Sequence, residues 1–512
     1  MKQKTAPNDI TTSPLTGFPL LCAFLRIWQE MLPAFTQERT HRLGLELALG
    51  LLSAFGRRTI SRGICARAAQ HFDWSKYYRF FSKDIWSALV ITHQLLAHIG
   101  QYLAENAPLV IALDDSAADK TGKKIPASGY FYDSKSPVWA RSYKWALRFL
   151  TLSALITPYG AFTEAKGILI KLKLAPVLAK PKKKDPPQTH KQYNKAKRNW
   201  SIVTQAIEQI QLLRAQMDAI PTLAKRLLVI AADASYTNEI VFRNLPSRCI
   251  YVGRTRKDLK LFAPASHKPG TKGRTKRYGE ALPTPEDIRR SKSYPWRKCT
   301  IYAAGKWHDL RYKMLTPVLW KKAGYCRPVM LIVIAPLGYR LRKNSKLLYR
   351  DPAYLLVSDP TYNPASAIQH YFHRWQIEVN HRDVKDGFGV GDAQVRHPRS
   401  VSRQFNFHAL LSSMLALAGL DAYGYGRTNN YAPRPKWRND PRSRPSAIDL
   451  KSQLRQELWL YEANEQIIGF SAPSRLSPKH PKYVEKATAW LAQTVPKGLS
   501  ITAWSAILHA DA

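Results

Sequence analysis

A mixed α/β fold is what this sequence predicts, and three observations predict it. Two apolar runs, from Leu109 and from Leu227, have the length and residue types of buried strands, and each leads directly into aspartate, at Asp114-Asp115 and at Asp233. Hairpin, helix and strand patterns follow one another between and after these runs, the order of a mixed sheet covered by helices. The segment from Tyr371 to Lys385 then has helical period and carries polar residues along one side. At roughly 100° per residue, positions i, i+3, i+7 and i+14 fall within about 60° of arc, which places Tyr371, Arg374, Glu378 and Lys385 in one stripe.

From about Leu20 to Leu103 the spacing is helical, with apolar residues three and four apart through Leu43–Phe55 and, after a Gly56–Thr59 break, through Ile60–Ala69. The segment Asp73–Lys83 mixes aromatic and basic residues at the same period. Short helices joined by tight turns, with Arg57, Arg58, Arg62 and Arg67 nearby, suit a helix-turn-helix-like region that binds DNA; an ordinary helical bundle with a basic surface has the same pattern.

At Pro108 the pattern changes. Leu109–Ser116 reads as a buried strand ending in two carboxylates, followed by a basic loop with Lys120, Lys123 and Lys124. Two β-prone runs, roughly 144–157 and 161–174, are joined by Pro158-Tyr-Gly160, a hairpin signal. A basic, proline-containing stretch at 180–187 leads to a helix near Tyr193–Asp218. The run to Asp233 repeats the strand-then-aspartate device, and Cys249–Gly253 makes a further strand. Between Gly253 and Pro352 lies an inserted block: a Lys/Arg/Gly-rich loop from Arg254 to Arg277, then β-like segments at Thr300–Tyr302, Tyr312–Leu319 and Pro328–Ala335. Arg254, Arg256 and Lys257 leave a core strand for this loop, which fits contact with a phosphate backbone. A strand at Tyr354–Ser358 leads back to the helix. That helix is expected to start at an Asn363 cap with Pro364 in its first turn, to seat Ile368, Phe372, Trp375 and Val379 on a core, and to stop at Gly387 and Gly389. His370, His373 and His381 are expected at its surface or on a phosphate side. After Gly419 come an aromatic, proline- and arginine-rich stretch (Tyr423 to Pro445) and two short helical patterns.

Charge bounds the partner. The chain has 512 residues and a net charge of +43, a balance no globular protein needs in order to fold. It costs self-repulsion and points to a polyanion. Hydrophobic content of 45% and 14 tryptophans exclude a disordered polycation. A membrane surface is the weaker partner, since no long amphipathic basic helix dominates, and no run is long and apolar enough to span a bilayer. Cys22, Cys65, Cys249, Cys299 and Cys326 form no C-x-x-C pair, which fits a reducing interior; no signal-peptide cleavage site is evident, and a cytoplasmic protein is expected.

Taken alone, the plainer reading of the 371–385 stripe is a solvated helix face with Glu–Arg and Glu–Lys pairing. Its conjunction with two aspartate-ended strands in so basic a chain is more specific. Phosphodiester chemistry on two divalent metals needs about three hard carboxylates from separate elements. Asp115 or Asp114, Asp233 and Glu378 supply them.

These residues resemble a family. Tyr371, Arg374, Glu378 and Lys385 match Y-x2-R-x3-E-x6-K without a gap, and the elements Asp114–Gly122 and Ala232–Tyr236 are similar to the first and second aspartate motifs of the DDE transposases of bacterial insertion sequences. The resemblance covers roughly residues 105 to 400 and implies an RNase H-like catalytic core with a β-rich insertion before the glutamate. Together with the patterns on either side, it divides the chain into a helical N-terminal DNA-binding region (1–104), a first part of the core (105–254), a basic β-rich insertion (255–352), the end of the core with the Glu helix (353–420) and a C-terminal helical and basic region (421–512). It implies that Asp115, Asp233 and Glu378 hold two Mg²⁺ or Mn²⁺ ions and that Tyr371, Arg374 and Lys385 grip phosphates. Asp115 is favoured as first ligand because the family's ligand directly precedes a hydroxyl residue, here Ser116 in place of the commoner threonine; Asp114 stands as the alternative. The implied activity is cleavage at transposon ends and joining of 3′-OH ends to target DNA, with double-stranded DNA as partner and a homodimer across two ends. An RNase H-like nuclease without strand transfer, or an inactive DNA-binding scaffold, is the competing reading. An aromatic from the insertion is expected to stack on a flipped base, with Trp296, Trp307 and Trp320 as candidates by position.

Overall fold

The computed structural model describes residues 17–467 apart from 68, 70–72, 134–135, 138, 158, 177, 179, 266–275, 325–326, 341–344 and 426–444. Most of the Lys268–Arg277 stretch, the arginine-rich stretch around Trp437 and the last of the C-terminal helical patterns lie outside these residues. The described chain folds as two compact units, residues 17–87 with 386–393 and the residues from 411 onward, and residues 88–385 with 394–410.

The first unit is helical. Helices α1 (Pro19–Glu30), α2 (Glu38–Ser53), α3 (Ile60–Ala66) and α4 (Ser75–Ser82) close on a core that includes Phe24, Trp28, Phe80 and Trp86. Between α2 and α3 a β-carbon on Gly50 would stand 2.2 Å from the Gly63 carbonyl oxygen, so only glycine lets these helices meet backbone to backbone. Arg57 and Arg62 are exposed beside this junction, while Arg58 is tied down, its guanidinium donating to the Asp386 carbonyl (2.9 Å) and its amide to the Asp392 carboxylate (2.8 Å).

The second unit opens with α5 (Ala88–Gly100), a helix the sequence groups with the N-terminal ones, and is built on a ten-stranded sheet. Its strands are β1 (Leu109–Asp119), β2 (Gly129–Tyr132), β3 (Tyr143–Ile156), β4 (Lys166–Ala175), β5 (Leu228–Ala232), β6 (Cys249–Arg254), β7 (Arg297–Ala303), β8 (Lys306–Leu319), β9 (Pro328–Ile334) and a strand at Ala353–Val357, numbered β12 after the two-stranded ladder β10 (Gly338–Tyr339) and β11 (Leu348–Tyr349). The order is β2-β3-β1-β5-β6-β12-β9-β8-β7, with β4 paired to β3. At the centre β1, β5 and β6 run parallel, and their mutually paired residues, Leu109–Leu113, Leu228–Ala232 and Cys249–Gly253, are buried, as parallel strands under helices must be. The α/β expectation is borne out. The inserted strands do not form a body of their own: β9 pairs antiparallel with β12 and carries β8 and β7 outward, extending the one sheet.

Three local readings are corrected. Strand β1 does not end at the aspartates but runs on to Asp119, because its second half stays in register with β3, from Asp114 opposite Thr151 to Asp119 opposite Ala146. The helix expected near 193–218 is two helices, α6 (Pro187–Asn199) and α7 (Ile202–Asp218), separated where the Ser201 hydroxyl caps α7 by accepting from the Thr204 amide (3.1 Å). Short helices α8 (Pro221–Ala224), α9 (Glu239–Arg243) and α10 (Pro285–Arg290) follow.

The helix with the polar stripe is also interrupted. It consists of α11 (Pro364–His373), α12 (Gln376–Arg382) and a wider π turn over Asp383–Gly387. Asn363 caps the start as expected, its side chain accepting from the Ser366 amide. At the junction the backbone bonds shorten to three-residue reach, Ile377 to Arg374 (2.9 Å) and Glu378 to Trp375 (3.0 Å), which tightens the turn. The turn rotates the apolar face away from the expected set. Ala367, Ile368 and Ile377 are buried, whereas Trp375 is 60% exposed.

Candidate active site

Side chains alternate along a strand, and that alternation sorts the two adjacent aspartates. The even residues of β1, Val110 and Ala112, belong to the core that also holds Ala367 and Ile368 of α11 and Ile377 of α12. Asp114 continues that face. Its Oδ1 accepts from the Asp115 amide (2.8 Å), and its Oδ2 accepts from Arg374 Nη1 (3.3 Å). Arg374 Nη2 donates in turn to Glu378 Oε1 (3.3 Å), so one guanidinium bridges carboxylates 264 residues apart in sequence. Ser116, two residues on and on the same face, accepts from Lys385 Nζ (2.6 Å).

Asp115 faces the other way and is fully engaged. Its Oδ2 accepts from Arg148 Nε (2.7 Å) and its Oδ1 from the Tyr236 hydroxyl (2.6 Å). Burial, with the charge and hydrogen bond of Asp115, drives the Tyr236 phenol far above its ordinary pKa, which keeps it a permanent donor.

Asp233 follows β5 directly and stands at the start of a single 3₁₀ turn at Ala234–Tyr236. A β-carbon on Gly253 of the neighbouring β6 would stand 2.3 Å from Thr237 Oγ1, so glycine there leaves room for the turn that holds Asp233. The Asp233 charge reaches both other acids. Burial raises Asp114 to about 6 against the pull of the Asp115 amide and Arg374, and the charges of Asp115 and Asp233 add to the rise. Burial likewise raises Glu378, opposed by Arg374, with Asp233 again adding. These are carboxylates that crowd one another, a condition a cation relieves.

Helix α12 is held against the sheet by close contacts. A β-carbon on Gly167 of β4 would stand 2.6 Å from Asn380 Oδ1, and the Gly167 carbonyl accepts from Asn380 Nδ2 (3.0 Å). The three histidines of this segment are buried anchors, not surface groups. His370 Nε2 lies 2.9 Å from the Tyr362 hydroxyl, His373 Nε2 donates to the Thr163 carbonyl (2.7 Å), and His381 Nε2 lies 2.6 Å from Thr151 Oγ1. Burial lowers them to about 3, about 4 and about 3 respectively, so all three are neutral at physiological pH.

Tyr371 packs on the core beside the site with the Arg374 guanidinium 5.8 Å over its ring, and burial raises its phenol against the charge of Arg254. Arg254, at the end of β6, therefore joins the site. Arg256 and Lys257 do not: Arg256 makes a two-bonded pair with Asp258 (2.9 and 2.7 Å) in the exposed turn beyond, and Lys257 is exposed in the same turn. Of the three tryptophans, Trp320 is buried edge-on to Phe242, Trp296 lies under the Lys313 ammonium (4.5 Å), and Trp307 is 54% exposed on the β7–β8 hairpin.

Sequence reasoning missed Arg148 and the role of Tyr236. A signal for the first existed, since Arg148 is a lone charge inside the apolar run of β3.

The donor set suits a hard divalent cation: carboxylate oxygens from β1, the β5 turn and α12, in surroundings that penalise their charge. Among the described residues no three His, Cys, Asp or Glu side chains already stand in ligating geometry. Arg374 occupies the gap between two of them. Among the described residues no helix is long and apolar enough to cross a membrane.

A family model described as DDE superfamily endonuclease matches residues 30–308, more than half of the chain, including Asp114, Asp115 and Asp233 but ending before Glu378. No curated protein matches the chain.

Proposed function

The chain belongs to the DDE superfamily endonucleases, on an RNase H-like mixed α/β core, and from that premise we propose that it is a DNA transposase which cleaves at the ends of its element and joins the freed 3′-OH to target DNA. The observation that carries this reading is the Arg374 bridge between Asp114 and Glu378, with Asp233 close enough to perturb both. It supports a three-carboxylate site assembled from separate elements, with a phosphate-binding cation already in its midst.

In this reading Asp114, in place of Asp115, joins Asp233 and Glu378 in holding Mg²⁺ or Mn²⁺. Two such ions supply activation of the attacking oxygen and charge relief for the leaving oxygen. The chain's own groups do the rest. Arg374 presents a planar fork that can hold a phosphate through two parallel bonds. Lys385 adds a point charge, kept over the same strand face by Ser116. Tyr371 and Arg254 flank them on the β6 side. Asp115 serves as a positioning residue, pinning β1 between Arg148 and Tyr236. The α2–α3 region with exposed Arg57 and Arg62, and the exposed turn with Arg256 and Lys257, are proposed to follow the DNA backbone, with two copies of the chain acting on two ends.

The test is incubation with duplex DNA carrying the element's ends, with and without Mg²⁺, resolving nicked, hairpin and joined products. Asp233→Ala or Glu378→Ala is expected to abolish cleavage while leaving end binding within about threefold, since carboxylates do not bind phosphate directly. Nicks without joined products would favour the nuclease reading. Full cleavage by either variant would remove the site assignment.

A further inference from the structure

One surface of the sheet unit is aromatic, exposed and unexplained by packing. Tyr130 and Tyr132 on β2 and Tyr143 on β3 are 63%, 47% and 66% exposed. In register, Tyr132 lies opposite Tyr143 and Tyr130 opposite Trp145, so the four rings share one face of the two strands. They form an ordered ladder. Tyr130 meets Trp145 edge to face at 4.9 Å between centroids, and Tyr132 meets Tyr143 in the same manner at 6.3 Å.

A cation is built into this ladder. Lys123 Nζ lies 4.6 Å over Tyr130, 4.4 Å over Trp145 and 3.0 Å from the Tyr130 hydroxyl. The Trp145 indole is fixed by donating to the Gly122 carbonyl (3.2 Å). Among the described residues β2 is the outer strand at its end of the sheet and pairs with β3 alone. Large exposed apolar side chains in a row mark a surface made for a ligand.

Register says which ligand. Odd residues of β3 put Trp145, Leu147, Phe149 and Thr151 on one face, and Thr151 lies opposite Asp114 while Phe149 lies opposite Ser116. The ladder therefore continues the sheet face that carries Asp114 and Ser116, which Arg374 and Lys385 contact. From Thr151 to Trp145 is about 20 Å along an extended strand. Aromatic faces interleaved with a lysine, in line with a phosphate-binding site, match a separated DNA strand: bases stack on the rings and the backbone passes the ammonium. A paired duplex hides its base faces and cannot use such a platform.

We propose that Tyr130, Tyr132, Tyr143 and Trp145, with Lys123, form a stacking platform for unpaired nucleobases of a DNA strand that enters the candidate site. What that strand does there rests on the transposase reading, but its binding does not.

The experiment compares a fluorescein-labelled oligothymidine with a blunt duplex of equal length, binding the full chain without divalent metal. Tyr130→Ala/Tyr143→Ala is expected to weaken single-strand binding by about tenfold or more, as the loss of one or two stacked bases requires, and to leave duplex binding within about twofold. Tyr130→Phe/Tyr143→Phe is expected to bind as wild type, because stacking needs the ring and not the hydroxyl. Should the alanine pair melt early, Tyr143→Leu keeps the bulk and removes the ring. Equal loss for both DNAs, or no loss, overturns the platform. So does a variant that binds normally but dissociates a wild-type dimer in sedimentation, which would make the patch a contact between copies. If wild type cleaves no DNA yet the selective loss is seen, the transposase reading falls and the platform stands. Cleavage with unaltered single-strand binding in the variants gives the reverse.

Discussion

Asp114 and Asp115 are neighbours in sequence and have opposite circumstances in the fold. Asp115 has a short bond on each oxygen, to Arg148 and to Tyr236, and both donors are held there by the sheet and the turn after β5. Asp114 has one amide and one longer guanidinium contact, and burial beside other acids raises its carboxyl to about 6. A satisfied carboxylate stabilises a fold and has little left to give. An acid held where its charge is disfavoured is poised for a cation, the usual arrangement of a functional site. On the proposed reading, one strand carries a structural carboxylate on one face and a chemical one on the other.

The sharpest way to break this comparison is to neutralise each in turn. Asp114→Asn is expected to lower Mg²⁺-dependent cleavage by roughly a thousandfold, the scale of losing several kcal/mol of charge stabilisation at phosphorus, with thermal stability unchanged or raised. Asp115→Asn should cost cleavage only about tenfold while lowering stability by about 1–3 kcal/mol, because Arg148 loses its ionic partner. Denaturant titration alongside the cleavage assay separates the two. If Asp115→Asn is the inactive, stable variant, the roles are reversed.

A second contrast lies along the same helices, between acids that are raised and histidines that are lowered. Folded-state values of about 3 to 4 for His370, His373 and His381 stand below the unfolded value of about 6.5. Below pH 6.5 the unfolded chain binds more protons than the folded one, so their contribution is present above that pH and is lost as the pH falls toward 4. Stability is therefore expected to drop steadily between pH 6.5 and about 4, with α11 and α12 loosening first. His373→Asn, which retains a donor for the Thr163 carbonyl, should flatten the slope of unfolding free energy against pH. An unchanged slope would show that these rings are not the acid-labile anchors.

How much of this was legible beforehand follows from where the information resides. Strand propensity is local, so β1, β5, β6 and the inserted strands could be read from their apolar runs. The face of Asp114 could not. Leu109 to Leu113 are buried on both sides, so the run carries no alternation to show which side meets α11 and α12. The stripe from Tyr371 to Lys385 was legible as a set, and Arg374 and Lys385 do reach one strand face, with Glu378 bound to Arg374. Its geometry was not, because the tight turn at Trp375 and the π turn after Arg382 replace ideal helical phase. The burial of the histidines was not legible for a related reason. Their partners Thr151, Thr163 and Tyr362 come from β3, its hairpin and the helix approach, and only tertiary structure brings Thr151 and Thr163 to them. The inserted strands showed their type but not their place, since pairing of β9 with β12 is decided by the sheet.

The smallest expected effect tests whether Asp115 is a positioning group or only a stabilising one. Tyr236→Phe removes a single hydroxyl and leaves the ring buried after the Asp233 turn. The loss of one hydrogen bond to a charged acceptor should cost about 1.5–3 kcal/mol of stability. If Asp115 merely stabilises, cleavage per folded molecule stays at the wild-type level. If it positions β1, the freed carboxylate lets Asp114 shift relative to Asp233 and Glu378, and the Mg²⁺ concentration needed for half-maximal cleavage rises a few-fold while maximal cleavage at saturating Mg²⁺ is kept. A metal titration of the cleavage rate distinguishes these outcomes, because a purely structural defect lowers the active fraction without moving the midpoint.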